Sequence, residues 1–325
     1  MGLWQIGIDT LASSRFALSP FAETFASLRL LHTGSGAHPG ERAWLRAQLP
    51  GYRARLAADP VAAPLVRAAF GTSWNADFLC PAPGAGEDFE ETVARVRAAG
   101  PGKARDDLRV SLRGPLPAAL DRDDLPERAA ALLTYVWEAA VRPHWERRRR
   151  VLEADVAART AQVSRGGWAA VLDSLRPGTR WLGESGFQVN PWPYPPREIP
   201  AGAELLFTPV TPRTGWVAWQ ERERYAVFYP CLGVLAEDHH RRPVPTGLGT
   251  LVGSARAGVL ALLGTPLSTT QLTALTGQGL GSVGRHLRVL LDAGLVERRR
   301  AGRSVLYVRT AAGEVLVAAS GPGTG

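Results

Sequence analysis

The spacing of apolar residues divides the chain into a long helical stretch, a β-prone stretch and a second helical stretch. At the start, Leu3-Trp4-Gln5-Ile6-Gly7-Ile8-Asp9 alternates weakly and predicts a short strand. Helices are predicted over 10–16 and 20–32, the second with Ser19 as N-cap and Pro20 as its first residue. After a loop over Thr33–Gly40, Glu41–Ala58 reads as an amphipathic helix interrupted at Pro50-Gly51, and 71–90 reads as a loop. The longest helical stretch, Asp124–Arg176, begins from Asp124 as N-cap and is punctuated by Pro143. Within it Leu132, Leu133, Val136, Trp137, Ala140 and Val141 recur at helical spacing. The pattern changes at Pro177-Gly178. Four runs follow, Phe187–Val189, Glu204–Thr208, Trp216–Gln220 and Tyr225–Tyr229, and their Pro/Gly punctuation predicts an antiparallel meander.

The last quarter of the chain is more specific. A helix over Ser254–Leu263 breaks at Gly264-Thr265-Pro266, and a second follows with Ser268 as N-cap and Leu272 and Leu275 as core positions. Thr276-Gly277-Gln278 is the tight turn into a third helix, about Gly279 to Ala293, which Gly294 ends. Leu295-Val296-Glu297 and Val305–Val308 then read as two strands joined by the basic tip Arg298–Arg303. On the third helix Val283, Leu287, Leu290 and Leu291 form the packing stripe, leaving Ser282, Arg285, His286, Arg288 and Val289 opposite. Two helices joined by a glycine turn and followed by a basic hairpin predict a winged helix-turn-helix over Leu251–Thr310. In that module a helix bearing Arg enters the major groove, and wing arginines reach phosphates or the adjacent minor groove.

Charge sharpens this picture. The net charge is +8, and Gly249–Gly325 holds eight arginines against three acidic residues, so five of those charges fall there. That is the balance of a polyanion-binding segment. Two distant cysteines, Cys80 and Cys231, make no disulfide framework and read as small buried apolar residues. No apolar run approaches the roughly 18–20 residues of a membrane span, and the start lacks the features of a signal peptide, so a cytoplasmic protein is expected.

The residues Leu272, Leu275-Thr276-Gly277, Val283, Arg285–Leu290, Ala293–Val296 and Gly302–Tyr307 resemble the ArsR/SmtB family of transcriptional regulators. Leu11–Ala17, Ser19-Pro20 and Arg148–Asp155 are similar to the domain that precedes the winged helix in longer actinobacterial members. The resemblance implies a homodimer on a palindromic DNA operator, repressing until an effector binds. Two departures stand out. Leu267–Leu272 carries no cysteine, so the family's thiol metal site is absent, and Gly281 and Gly284 replace its usual hydroxyl residues. The residues expected at DNA are Gln278, Ser282, Arg285, His286, Arg288, Arg298, Arg299, Arg300 and Arg303.

Other motifs lead elsewhere or nowhere. Gly279–Gly284 spells G-x-G-x-x-G without the preceding strand or the later acid of a dinucleotide site. Gly183-Glu184-Ser185-Gly186 lacks the last glycine of a nucleophile elbow. Glu237-Asp238-His239-His240 reads as a solvated turn, with a metal site the alternative, and Arg147–Arg150 as a solvated helix face, with a DNA-backbone or dimer contact the alternative. No acid, base, nucleophile or metal constellation points to an enzyme, and no cofactor is implied. All ten tryptophans precede the winged helix, which fits either a Trp-built core or an aromatic-lined pocket for an apolar or planar small molecule.

The sequence therefore predicts an α+β protein: a mostly helical N-terminal domain with a small antiparallel β region, then a C-terminal winged helix-turn-helix. Its divisions are 1–235 for effector sensing and dimerisation, a linker at 236–249, the DNA-binding domain at 250–319 and a tail at 320–325. The expected function is a dimeric regulator, a repressor, binding operator DNA under a small-molecule or partner signal. The alternative is a winged helix that binds a protein instead of DNA, which the glycine-rich recognition helix favours.

Overall fold

The computed structural model describes residues 2–36, 39–220, 222–231, 246–264, 266–276, 278–301 and 304–319. It opens on strand β1 (Gly2–Ile6), helix α1 (Ile8–Ser13) and the two-residue strand β2 (Arg15–Phe16). The helix expected over 10–16 thus stops early. The backbone extends at Ser14, and Arg15-Phe16 pairs in parallel with Leu206-Phe207. Helix α2 (Pro20–Thr33) starts as its Ser-Pro signal predicts, Ser19 Oγ accepting the Ala22 N–H at 3.1 Å.

Helix α3 (Pro39–Ala57) runs through Pro50 instead of breaking there. Pro50 and Arg46 are exposed, so the carbonyl that loses its amide partner is open to water. Three helices that the apolar pattern did not announce follow: α4 (Ala62–Ala69), α5 (Phe89–Arg97) and α6 (Pro101–Leu112). Next come α7 (Leu125–Val136), a π turn and a 3-10 turn over 137–144 around Pro143, and α8 (Trp145–Leu172), which is broken at Gly167 (φ 70°, ψ 175°). Asp124 precedes α7 without capping it; its carboxylate is held by Arg122 at 2.7 Å and Arg128 at 2.8 Å.

The β region comprises β3 (Arg180–Trp181), β4 (Gly186–Asn190), β5 (Arg197–Ile199), β6 (Glu204–Val210), β7 (Trp216–Gln220) and β8 (Arg224–Pro230). Two small sheets result, ordered β3-β4-β1-β5 and β2-β6-β8-β7. Antiparallel pairs join β1 to β4, β3 to β4 and β7 to β8. The order is not a meander, because β6 and β8 pair in parallel from Glu204–Arg224 to Val210–Pro230 with β7 outside them. Pattern explains the arrangement. β6 and β8 are buried on nearly every residue, as central strands covered on both faces must be, whereas β7 alternates and takes the edge.

Side chains of β6–β8 sort to two cores. Leu206, Val210, Trp216, Ala218, Ala226 and Phe228 face the helices. Leu205, Phe207, Tyr225, Val227 and Tyr229 face Trp4, Ile6, Phe187, Val189 and Ile199 of the other sheet. Each buried Leu, Ile, Val or Phe among them contributes roughly 1.5–3 kcal/mol by leaving water.

The run Arg147–Arg150 is not a wholly solvated face. Arg148 is fully buried and donates to Glu23 Oε1 at 2.6 Å and Ser27 Oγ at 2.8 Å. Glu23 also accepts the Thr211 N–H at 2.8 Å, which ties α2, α8 and the end of β6 together.

The C-terminal region contains α9 (Thr246–Val252), α10 (Ser254–Leu262), α11 (Thr269–Thr276), α12 (Leu280–Asp292), β9 (Val296–Ala301), β10 (Ser304–Arg309) and α13 (Ala311–Ala319). Its core joins Leu260, Leu263, Leu272, Leu275, Val283, Leu287 and Leu290, and Val151 of α8 is buried in the same cluster. Of the linker expected at 236–249, residues 246–249 open α9. The remainder, with Glu237–His240, lies outside the described residues, as does the tail 320–325. Among the described residues no helix is long and apolar enough to cross a membrane.

Candidate nucleic-acid interface

Local signals position α11 and α12. Ser268 and Gln271 cap α11 reciprocally: Ser268 Oγ accepts the Gln271 N–H at 3.3 Å, and Gln271 Oε1 accepts the Ser268 N–H at 2.7 Å. Gly294 ends α12's turn at φ 67°, a conformation that favours glycine. A single bridging residue, which the sequence did not reveal, braces the hairpin: Leu267 and Tyr307 exchange N–H···O bonds of 2.9 and 2.8 Å.

Helix α12, with Gln278 just before it, presents three stripes. Val283, Leu287 and Leu290 are buried against α10 and α11. Gln278, Ser282 and His286, spaced four apart, form a half-buried polar ladder. Ser282 Oγ donates to Gln278 Oε1 at 3.4 Å and lies 3.2 Å from His286 Nε2. With the hydroxyl proton directed to Gln278, the imidazole N–H is the donor of the second bond. The third stripe is Gly281, Gly284, Arg285 and Arg288, all lining one open cleft with Arg298 and Tyr307 of the hairpin. Arg285, Arg288 and Arg298 are exposed. Asp292 at the far end is the only acid lining it among the described residues.

Glycine shapes this cleft. A Cβ built at position 281 or 284 meets nothing within 4 Å, so neither residue is required for internal packing. The missing side chains leave the α12 backbone bare between flanking guanidinium groups.

The wing differs from its expected form. Arg298–Arg300 lie within β9, not at the hairpin tip, paired opposite Tyr307, Leu306 and Val305. Strand alternation then separates them. Arg298 reaches the cleft, while Arg299 Nε donates to Glu297 Oε1 at 2.7 Å on the other face. Arg300 is exposed and shares Arg298's parity, and Arg303 lies outside the described residues. The sequence reading missed Tyr307 as a cleft residue; its signal was the two-residue period of β10.

Three helices with a tight turn between the second and third, followed by a hairpin on the same core, define a winged helix-turn-helix. In agreement, a family model described as a helix-turn-helix domain matches residues 254–299, from the start of α10 into β9. No curated protein and no solved structure matches the chain.

Proposed function

We propose that the protein is a DNA-binding transcription regulator in which α12 enters the major groove. The observation that carries this reading is the exposed Arg285–Arg288–Arg298 cleft on the element pair that helix-turn-helix modules turn toward DNA. Arg285 and Arg288 have the reach and fork geometry for guanine O6 and N7. The ladder Gln278–Ser282–His286 lies beside them and offers donors to base edges or phosphates. Arg298, Arg300 and Arg303 supply phosphate contacts and the salt dependence of binding. Arg299, held by Glu297, contributes less.

The finer reading follows the ArsR/SmtB resemblance. A homodimer sets two copies of α12 on a palindrome, represses transcription, and releases when the N-terminal domain, 1–235, takes an effector. Recovery of genomic fragments on the immobilised full chain, then gel shifts on a recovered fragment, tests the docking. Arg285→Ala and Arg288→Ala should each weaken binding by about 1–3 kcal/mol. Removing Arg298 and Arg300 together should flatten the dependence of log K on log salt by about two charges' worth. Unchanged shifts in all of these variants, or retention of a protein in place of DNA, would overturn the assignment.

A further inference from the structure

The N-terminal domain contains a cavity of about 110 Å³ where α2, the loop 71–77, β7 and the segment after α8 meet. A second, of about 250 Å³, shares Trp74, Asn190, Val217 and Trp219 with it. An engineered apolar cavity of about 150 Å³ holds benzene, so the first alone is somewhat smaller than a single-ring site, and the two together exceed one. Its walls are aromatic and braced. Trp74 meets Trp219 edge to face at 5.4 Å between centroids, and Trp216 is stacked on Phe228 at 4.2 Å.

Into this aromatic space project two guanidinium groups, Arg29 from α2 and Arg176 from beyond α8. Their bonds are to neutral acceptors: Arg29 donates to Asn75 Oδ1 at 3.0 Å and Arg176 to the Val189 carbonyl at 2.6 Å. Arg176 Nε is buried without a hydrogen-bond partner. Four other enclosed arginines are paired with carboxylates instead: Arg148 with Glu23, Arg159 with Asp155, Arg95 with Glu87 and Arg128 with Asp59. The one carboxylate of this lining, Asp77, has its pKa raised by burial and by Asp107, and the groups that pull against this are Lys103, Trp74 and Arg197. Burial, and then the neighbouring Arg29 charge, push Arg176 down to about 10. Two like charges facing one small space raise each other's energy unless an anion sits between them.

The position of Arg176 is built into the sheet. A Cβ on Gly215 would come within 2.7 Å of Arg176 Cδ and 2.8 Å of the Phe228 carbonyl. Only glycine lets that guanidinium stem lie across the start of β7.

We propose that this cavity is a binding site for a planar aromatic carboxylate, its ring among Trp74, Trp216 and Trp219 and its anion bridging Arg29 and Arg176. A single-ring acid takes the first cavity and the adjoining edge of the second, and a larger planar acid extends further into the second. The chemistry follows from the lining. Indole faces favour a flat ring, and charge-assisted bonds from two guanidiniums favour a carboxylate over a neutral group.

Calorimetric titration of the full-length protein tests this directly and does not depend on whether α12 reads DNA. The probes are benzoate, indole-3-carboxylate and the neutral isostere benzamide. A carboxylate should bind about tenfold or more tightly than benzamide, the difference expected when charge-assisted bonds are lost. Arg176→Gln should reduce carboxylate affinity by about tenfold or more while benzamide binding is unchanged. Because the benzoate–benzamide comparison uses the unaltered chain, a folding defect in the variant cannot decide the outcome. Absence of binding by both acids, or equal affinity for benzoate and benzamide, would overturn the inference.

Discussion

Gly281 and Gly284 set the character of the cleft more than any single arginine does. Gly284 weakens α12, since glycine in a helix interior is about 0.5–1 kcal/mol less favourable than alanine, while Gly281 lies in the first turn. Neither is compensated by packing, because a Cβ at both positions would point into open space. Gly284→Ala should therefore raise the denaturation midpoint, by an amount equivalent to about 0.5–1 kcal/mol. The same methyl would project into the cleft that the duplex occupies in the proposed complex, so affinity should fall as stability rises. Urea melts and gel shifts on one preparation separate the two effects. A variant that gains stability and keeps full DNA affinity would show that the bare backbone is not used.

Among the elements, the tie between α2, α8 and the end of β6 is the most exposed to a single change. Arg148 is also over the Trp44 ring, 5.1 Å from its centroid, and its Nε and Nη2 have no hydrogen-bond partner. Glu23 is thus the charge that makes its burial tolerable. Removing one partner of a buried pair leaves the other uncompensated and costs about 3–5 kcal/mol. Glu23→Ala should lose that much stability in a urea melt, and Glu23→Ala combined with Arg148→Met should recover a large part of it.

This is also the scale at which the sequence was most and least legible. Elements with a strong period came through: α2, α10, α12, β4 and β6–β8 lie within about two residues of their predicted bounds. The pairing order of the strands did not, because β2 finds β6 across most of the N-terminal domain. A run of arginines hid the second half of β9, whose extended form is imposed by β10 and not by its own propensity. The cleft was partly visible, since the helix period placed Arg285 and Arg288 together. Of the cavity only the aromatic character was foreseen, as one of two readings of the tryptophans; its two arginines were not, because Arg29, Trp74, Arg176 and Trp216 come from four separate stretches of chain.

For the molecule as a whole, Asp77 writes a signature into the pH dependence of stability. Burial, reinforced by Asp107, raises its carboxyl from 3.8 to about 6, against the opposing pull of Lys103, Trp74 and Arg197. A carboxyl that holds its proton more tightly when folded contributes stability that is complete below the unfolded value and is lost as pH rises through the folded value. Stability should decline between about pH 4 and pH 6 by at most about 3 kcal/mol from this group, and Asp77→Asn should flatten that part of the curve. Thermal melts of both proteins across that range measure the difference.

Val151 belongs by sequence to the long helix of the N-terminal domain and by packing to the core of the winged helix. The two parts are therefore not interchangeable cassettes. A recognition module transplanted from another regulator would have to bring an apolar socket for Val151, and this one, transplanted alone, would leave its own socket open to solvent. Any lineage that exchanged such modules by recombination would have had to carry Val151, with Cys231 that packs on the same core, or their partner surface, along with the exchange.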